Sequence, residues 1–189
     1  MIINPKVALE QKWIVFPETF STDFVEKCIQ PNGIDFTLDQ LYMVDTFTPA
    51  YISEQLREYK PLAELTPDSS RNGEMFYTLH PQNCYDFMSS IKVFIPSGIC
   101  ARLEVRSTLN RVGVALSSGL YDTGFNGNIA GHLRPFSGTV RIAPNTRIGQ
   151  IVFYSSVESS KYSGIYNNAD EHWSQHVATE QAKQDENSN

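Results

Sequence analysis

The sequence lacks an excess of positive charge, a paired set of cysteines and any long apolar run. Its 189 residues carry 15 Lys and Arg against 21 Asp and Glu, a formal net charge of -6, which argues against a broad nucleic-acid-binding surface because phosphate backbones are bound by clustered Lys and Arg. Cys28, Cys84 and Cys100 are odd in number and have no C-x-x-C spacing, so neither a disulfide framework nor a zinc site is indicated. No apolar stretch approaches membrane-spanning length, and the first residues lack the pattern of a signal peptide. We therefore expect a cytoplasmic protein that binds neither nucleic acid nor membranes.

Motifs of several enzyme chemistries are also absent. The H-x-E and P-C-x-x-C pair of zinc-dependent deaminases does not occur, nor do G-x-S-x-G, a Walker A loop or H-E-x-x-H. His172 and His176 are spaced i, i+4 beside Asp170 and Glu171, a spacing that could place two metal ligands on one face of a helix. An exposed amphipathic tail explains the same pattern, and we predict no protein-bound metal.

What the sequence does contain is a series of short strand patterns. Hydrophobic residues make up 41% of the chain, enough for the core of one domain. From Met75 onward, β-rich runs alternate with Pro, Gly, Asn and Ser, as in MFYTLH, IKVFIP, ICARLEVRS, RVGVALSSG, GNIAGHLRP, GTVRIAP and RIGQIVFYSS. This spacing is typical of an all-β sandwich or barrel, so we predict an all-β core over about residues 75–154.

The remaining segments predict smaller elements around that core. Ser21 or Thr22 can cap a short helix, and residues 34–39 alternate as a strand with one apolar face. Residues 49–73 are interpreted as a surface insertion with a short helix in ISEQLREYKPLAEL, interrupted by Pro61. We predict one domain over residues 1–166 and a C-terminal arm over 167–189, partly disordered because its end is polar.

Residues 110–129, NRVGVALSSGLYDTGFNGNI, place one carboxylate among small, apolar and glycine residues. Asp122 lies between the turn-like pairs Ser118-Gly119 and Asn126-Gly127, within a pattern of paired strands. Glycines allow close approach of the backbone to a ligand. The pattern predicts a hairpin that presents Asp122 to a ligand, although an aspartate that only caps a turn would give the same sequence.

Three segments in order along the chain resemble the dCTP deaminase and dUTPase superfamily: QPNGIDFTLD at 30–39, RSTLNRVG at 106–113 with GLYDTGFNGNI at 119–129, and NTRIGQIVFY at 145–154. The resemblance spans about residues 28–166. It implies a distorted β-barrel or jelly-roll, a homotrimer with active sites shared between subunits, a pyrimidine deoxynucleoside triphosphate as ligand, and Mg²⁺ bound through the triphosphate.

The resemblance also implies roles in the hairpin. Gly119, Leu120 and Tyr121 belong to the part that presents backbone groups to the pyrimidine edge. Asp122 matches the aspartate that, in dUTPases, orients or deprotonates the water attacking the α-phosphate, a task that suits a carboxylate. Phe125 matches an aromatic beside the sugar and base, although alone it would be interpreted as a core residue.

The phosphate-binding residues follow from the same resemblance. Arg106, Ser107 and Thr108 match a phosphate-contacting strand end, and Gln150 matches the glutamine of the R-I-G-Q segment. Guanidinium and hydroxyl donors suit the many acceptor oxygens of a triphosphate. Arg111 matches an arginine near the base in the deaminases, although a surface salt bridge is an equal alternative.

A buried structural aspartate of the family has its counterpart in Asp35, for which we predict a role in the fold. Two departures concern the deaminases. His132 occupies the position of the glutamate that shuttles protons in the deaminase pattern D-P-G-F-x-G-x-I-x-L-E, and an imidazole can do acid–base work near neutral pH. The segment K-Y-x-G-Q is KYSGI here, which keeps Lys161 and Tyr162 as predicted ligand contacts and replaces the glutamine by Ile165.

The dUTPase pattern is incomplete too, because the glycine-rich, arginine-containing C-terminal arm is replaced by DEHWSQH. Three functions remain open. The first is a dUTP diphosphatase that uses Asp122, the second is a dCTP deaminase, possibly bifunctional, that uses His132, and the third is a nucleotide-binding trimer without activity.

Overall fold

Strands dominate the chain in this computed structural model, which describes residues 1–54, 57–157, 160–164 and 166–167. The described helices are Pro5–Glu10 (α1), Thr22–Cys28 (α2) and Ser107–Arg111 (α3). The strands are Ile14–Val15 (β1), Ile34–Thr37 (β2), Gln40–Val44 (β3), Tyr51–Ile52 (β4), Arg57–Glu58 (β5), Leu62–Glu64 (β6), Asp68–Ser69 (β7), Met75–Leu79 (β8), Tyr85–Phe94 (β9), Ile99–Val105 (β10), Val114–Ser117 (β11), Asn126–Pro135 (β12), Val140–Ile142 (β13) and Arg147–Ser155 (β14).

The described strands form four sheets. A six-stranded sheet has the order β11-β12-β9-β3-β6, with β1 pairing to β9, and a three-stranded sheet has the order β10-β14-β2. Strands β13, β8 and β7 form a further sheet, and β4 pairs with β5. The pairings are antiparallel, which confirms the prediction of a distorted all-β fold.

The hydrophobic core joins the six-stranded sheet to the β10-β14-β2 sheet. Phe36 on β2 stacks on Phe87 on β9 with ring centroids 5.8 Å apart and planes 8° apart. Both rings are fully buried, as are Ile34, Ile91 and Ile151. Burial on this scale stabilises the fold at about 25 cal/mol per Å² of apolar surface removed from water, so the core holds together the two sheets that carry the site residues.

The strand runs predicted after residue 75 are confirmed as β8 to β14. The side-chain oxygen of Ser21 accepts from the backbone N–H of Phe24 and so caps α2 as predicted. The one-faced strand predicted at 34–39 is corrected, because Asp35 and Thr37 are as buried as the apolar residues between them. In the described part of the chain, no helix is long and apolar enough to cross a membrane.

The helix predicted in ISEQLREYKPLAEL is wrong. The described residues of this segment form β4, β5 and β6, and β6 pairs with β3 from Leu62 opposite Val44 to Glu64 opposite Tyr42. Tertiary pairing here overrides the helix-forming composition, and Pro61 lacks the N–H that the interior of a helix requires. The predicted domain boundaries stay predictions, and most of the C-terminal arm, with His172 and His176, lies outside the described residues.

The predicted hairpin is present with a different turn. Strand β11 pairs with β12 from Val114 opposite Pro135 to Ser117 opposite His132. Asn126-Gly127 begins β12 and is not a turn. The turn lies at residues 122–125, where the N–H of Phe125 donates to the carbonyl of Asp122 at 3.0 Å, and Gly124 has φ +90°, a conformation that glycine adopts without strain.

Candidate active site

A cavity of about 540 Å³, here called the large cavity, opens beside this hairpin. One wall is formed by residues 117–121 and by residues of β12, among them Asn128 and His132. Asp86 and Met88 of β9 line it as well, and residues 44–62 contribute Ile52, Lys60 and others. The segment predicted as a surface insertion therefore helps to enclose the cavity.

Three of the aromatic residues of the large cavity contact one another. Tyr121 and Phe125 meet edge to face at 5.0 Å, and Phe125 contacts Tyr162 at 5.9 Å. These rings, together with apolar lining residues such as Leu62 and Met88, suit a flat aromatic ligand. Two further tyrosines, Tyr59 and Tyr166, bring their hydroxyl oxygens within 3.4 Å of each other at the cavity. Of the predicted residues, Gly119, Leu120, Tyr121, Phe125, His132 and Tyr162 line this cavity.

His132 lies on the wall of the large cavity, opposite Asp86 in the β12–β9 pairing. The His132 Nε2 is 3.8 Å from Asp86 Oδ2. The carboxylate is 1% exposed and the imidazole is 45% exposed, so the ring is the member of the pair that a ligand can reach. On the other side of Asp86 lies Tyr42 of β3; burial raises the pKa of its hydroxyl to about 12, and Glu64 and Asp86 add to the rise.

Asp122 lies in a second, smaller cavity of about 370 Å³, here called the small cavity. Its side chain is exposed, and Lys161, Thr123 and Cys100 also line this space. Leu120 and Tyr162 line both cavities, so the two spaces adjoin. Within the described residues, no group of three or more His, Cys, Asp and Glu side chains could hold a metal ion.

The small cavity is closed on one side by residues 160–162, which pack on the hairpin turn. The N–H of Tyr162 donates to the carbonyl of Thr123 at 2.7 Å. Burial raises the pKa of the Tyr162 hydroxyl, and the negative charge of Asp122 contributes to this rise. A Cβ atom added at Gly124 would lie 3.3 Å from the Cβ of Lys161, so glycine at this turn allows Lys161 and Tyr162 to lie close to Asp122.

Asp35 is the centre of a separate polar cluster on the β10-β14-β2 sheet. Its side chain is fully buried, and its Oδ2 lies 3.2 Å from Arg106 Nε and 3.1 Å from Arg147 Nη1. Burial raises the pKa of the Asp35 carboxyl, while Arg106, Gln150 and Arg147 oppose the rise. The arginines offset a negative charge that would otherwise be costly to bury, and the role of Asp35 in the fold stays a prediction.

The predicted phosphate-binding residues lie around this cluster and do not line either cavity. Arg106 also donates from Nη1 to the carbonyl of Arg147 at 3.2 Å, and Gln150 lies directly opposite Asp35 in the strand pairing. Ser107, Thr108 and Arg111 are exposed residues of α3. Within the described part of this single chain, the residues predicted for the phosphates are therefore separate from those predicted for the base and sugar.

Sequence reasoning missed Asp86 and the contribution of residues 44–62 to the large cavity. The available signal was a carboxylate within the strand pattern CYDFMSS, whose neighbours Tyr85 and Phe87 are almost completely buried. A charged residue at such a position needs a partner. The strand register that places Asp86 opposite His132 could not be obtained from the strand pattern alone.

The chain is similar to named relatives from bacteria and archaea. A Kocuria rhizophila protein named "dCTP deaminase, dUMP-forming" is 30% identical over 149 residues, which cover 74% of each chain. A Methanosarcina acetivorans protein named "Probable deoxyuridine 5'-triphosphate nucleotidohydrolase" is 28% identical over 148 residues, covering 76% of this chain and 83% of that protein.

A solved structure and a family model show further similarities. The solved structure of 2'-deoxycytidine 5'-triphosphate deaminase from Agrobacterium tumefaciens has a TM-score of 0.58 at 15% identity, over 82% of this chain and 48% of that chain. The protein described here thus spans about half of that chain, and the likeness shows a shared fold. A family model described as dCTP deaminase-like matches residues 12–156. The protein belongs to the dCTP deaminase-like family.

Proposed function

We propose that the protein hydrolyses dUTP, or a related pyrimidine deoxynucleoside triphosphate, to the monophosphate and pyrophosphate. The observation that carries the proposal is the pair of adjoining cavities, which share Leu120 and Tyr162. The large cavity offers aromatic side chains and hairpin backbone to a base, and the small cavity exposes the Asp122 carboxylate. Family membership and the relative named as a probable dUTP nucleotidohydrolase support the same reaction.

Asp122 would act as the base for the attacking water. The carboxylate accepts a proton from water as the oxygen attacks the α-phosphorus, a new phosphorus–oxygen bond forms, and the bond to the bridging oxygen breaks as pyrophosphate leaves. Mg²⁺ would arrive with the triphosphate as part of the substrate and offset its charge. The turn hydrogen bond from Phe125 occupies the backbone carbonyl of Asp122, not its carboxylate, which fits a side chain that acts on a ligand.

The phosphate-binding half of the site would come from a second copy of the chain. Arg106, Ser107 and Gln150 lie away from the cavities within one chain, and a homotrimer with shared sites would supply them in trans. Light scattering at micromolar protein should then give about three times the chain mass of 21.3 kDa. A stable monomer would contradict the shared site.

A second candidate is deamination of dCTP, and the observation that favours it is the position of His132 in the large cavity. The imidazole reaches the space proposed for the base, while the buried Asp86 stands behind it. An imidazole can transfer protons near neutral pH, and a relative named "dCTP deaminase, dUMP-forming" supports this alternative.

Product analysis tests both candidates together. The protein, in cytoplasm-like reducing buffer with Mg²⁺, is incubated separately with dUTP and dCTP, and the nucleotides, pyrophosphate and ammonia are measured. Pyrophosphate from dUTP without ammonia from dCTP supports the diphosphatase. Ammonia from dCTP supports the deaminase, and binding without either product shows a nucleotide-binding protein that lacks activity.

A further inference from the structure

A row of polar side chains crosses the six-stranded sheet beneath the large cavity. His132 on β12 is opposite Ser117 on β11 and Asp86 on β9, and Asp86 is in turn opposite Tyr42 on β3. Directly opposed residues of antiparallel strands project to the same face of the sheet. The row therefore places a buried carboxylate behind the one imidazole that lines the described wall of this cavity.

Asp86 is surrounded by buried residues and is not a surface carboxylate. Its neighbours Tyr85 and Phe87 are buried, and Asp86 itself is 1% exposed. An ionised carboxylate in such a place is costly unless it has partners, and the His132 ring is one group that brings a nitrogen close to it. The contact of 3.8 Å is longer than a hydrogen bond, and contacts of this kind often shorten when a ligand binds.

We propose that Asp86 is a positioning residue, which holds the His132 ring so that it contacts the pyrimidine of the bound nucleotide. The proposal rests on the proposed function for the identity of the ligand. Asp86 accepts from the Nε2–H of His132, which fixes the tautomer and leaves the other ring nitrogen for the ligand. The pair acts on the ring, whereas Asp122 acts on the α-phosphate from the adjoining small cavity.

This division predicts an effect on binding and little effect on the chemical step. The contact of His132 with the ring is present before and during the attack on the α-phosphate, so its loss weakens both states alike. Variants of either residue should raise KM and leave kcat nearly unchanged. If Asp86 had only a structural role, its substitution would instead lower the melting temperature, and the size of this effect would not depend on His132.

A double-mutant cycle tests the coupling between the two residues. Affinity for an α,β-imido analogue of dUTP is measured by calorimetry for the parent, Asp86→Asn, His132→Gln and the double variant. We expect each single change to weaken binding about tenfold, and the double variant to bind no more weakly than His132→Gln. Asp35→Asn, which removes the charge of a buried carboxylate away from the cavities, is the matched control and should give additive effects.

Two results of this cycle would overturn the inference. If Asp86→Asn weakens binding as much in the His132→Gln background as in the parent, Asp86 acts independently of His132. If both single variants bind the analogue as tightly as the parent does, neither residue contacts or positions the ligand. Normal hydrolysis of dUTP by the parent in either case leaves the proposed function intact.

A second measurement does not need activity or a stable variant. The ¹⁵N shifts of the His132 ring distinguish its tautomers, and we expect the neutral ring of the parent to carry its proton on Nε2. A ring protonated on Nδ1 would contradict the positioning role. Failure of the parent to bind any pyrimidine nucleotide would refute the proposed function, while the tautomer would still show whether Asp86 orients the ring.

Discussion

Asp35 and Asp86 are both buried carboxylates, but their surroundings differ in kind. Asp35 lies between the guanidinium groups of Arg106 and Arg147, away from both cavities. Asp86 lies beside an imidazole that is half exposed to the large cavity. A carboxylate between two permanent cations is suited to holding strands together, whereas one beside a titratable ring and an open space can act on a ligand through that ring.

The molecule thus has a cavity side, with Asp86, His132 and Asp122, and an arginine side, with Asp35, Arg106 and Arg147. The largest expected effect is that of Asp122→Asn on the cavity side. The amide keeps the size of the side chain but removes its basicity, so dUTP hydrolysis should fall by about 10² to 10⁴. The melting temperature should change little because the carboxylate is exposed. Binding of the imido analogue should also change little because the substitution removes an interaction that acts in the chemical step. Steady-state kinetics measures hydrolysis, calorimetry measures binding, and Asp23→Asn at an exposed position is the control. Hydrolysis of dUTP by Asp122→Asn at the parent rate would show that Asp122 is not the base.

On the arginine side, Asp35→Ala should affect stability. Its removal leaves Arg106 and Arg147 without their shared carboxylate, and we expect the free energy of unfolding to fall by about 3 kcal/mol. Urea unfolding at fixed protein concentration measures this change. In an Arg147→Met background, Asp35→Ala should lower the free energy of unfolding by less, because only Arg106 then loses its carboxylate. An equal loss in both backgrounds would show that Asp35 and Arg147 do not interact.

Gln150→Ala tests whether the arginine side also has a role in binding. If a second copy presents Gln150 to the phosphates, the variant should bind the imido analogue about tenfold more weakly, as for the loss of one hydrogen bond to a charged group. Glu104→Gln is a matched control, because Glu104 is exposed and lies opposite Gln150 on the neighbouring strand. Unchanged affinity of the Gln150 variant would restrict this cluster to the fold.

The smallest expected effect is a pH dependence that belongs to Asp35. Because burial raises the pKa of its carboxyl, the folded chain holds the proton to a higher pH than the unfolded chain does. The resulting stabilisation is complete below the ordinary value of 3.8 and is lost as the pH rises through the raised value. The free energy of unfolding of the parent, relative to that of Asp35→Asn, should therefore fall as the pH rises above about 4. Urea unfolding at several pH values measures this difference, and a difference that increases with pH would contradict the predicted sign.

How much could be predicted from the sequence differs between the same two regions. Short β-rich runs bounded by turn residues were sufficient to predict strands β8 to β14, and burial alternates residue by residue in β10 and in the second half of β9. The helix predicted between residues 52 and 65 failed because pairing of β6 with β3 is a long-range contact. Asp35 was recognised from a family motif. The position of Asp86 opposite His132 depends on the register between β9 and β12, which the pattern of a single strand does not encode.

The hydroxyl of Tyr121 helps to determine on which face of the sheet His132 lies. It donates to the carbonyl of Ala130 at 2.8 Å and accepts from the Ala130 N–H at 2.9 Å, beside the irregularity in the β12–β9 pairing between Asn128 and Ala130. Sliding β12 by one residue would turn His132 away from the large cavity and would break both bonds. The Tyr121 hydroxyl therefore helps to fix the register of β12. Tyr121→Phe would remove both hydrogen bonds and reduce the energy difference between the observed register and one shifted by a residue, without changing any residue of β12.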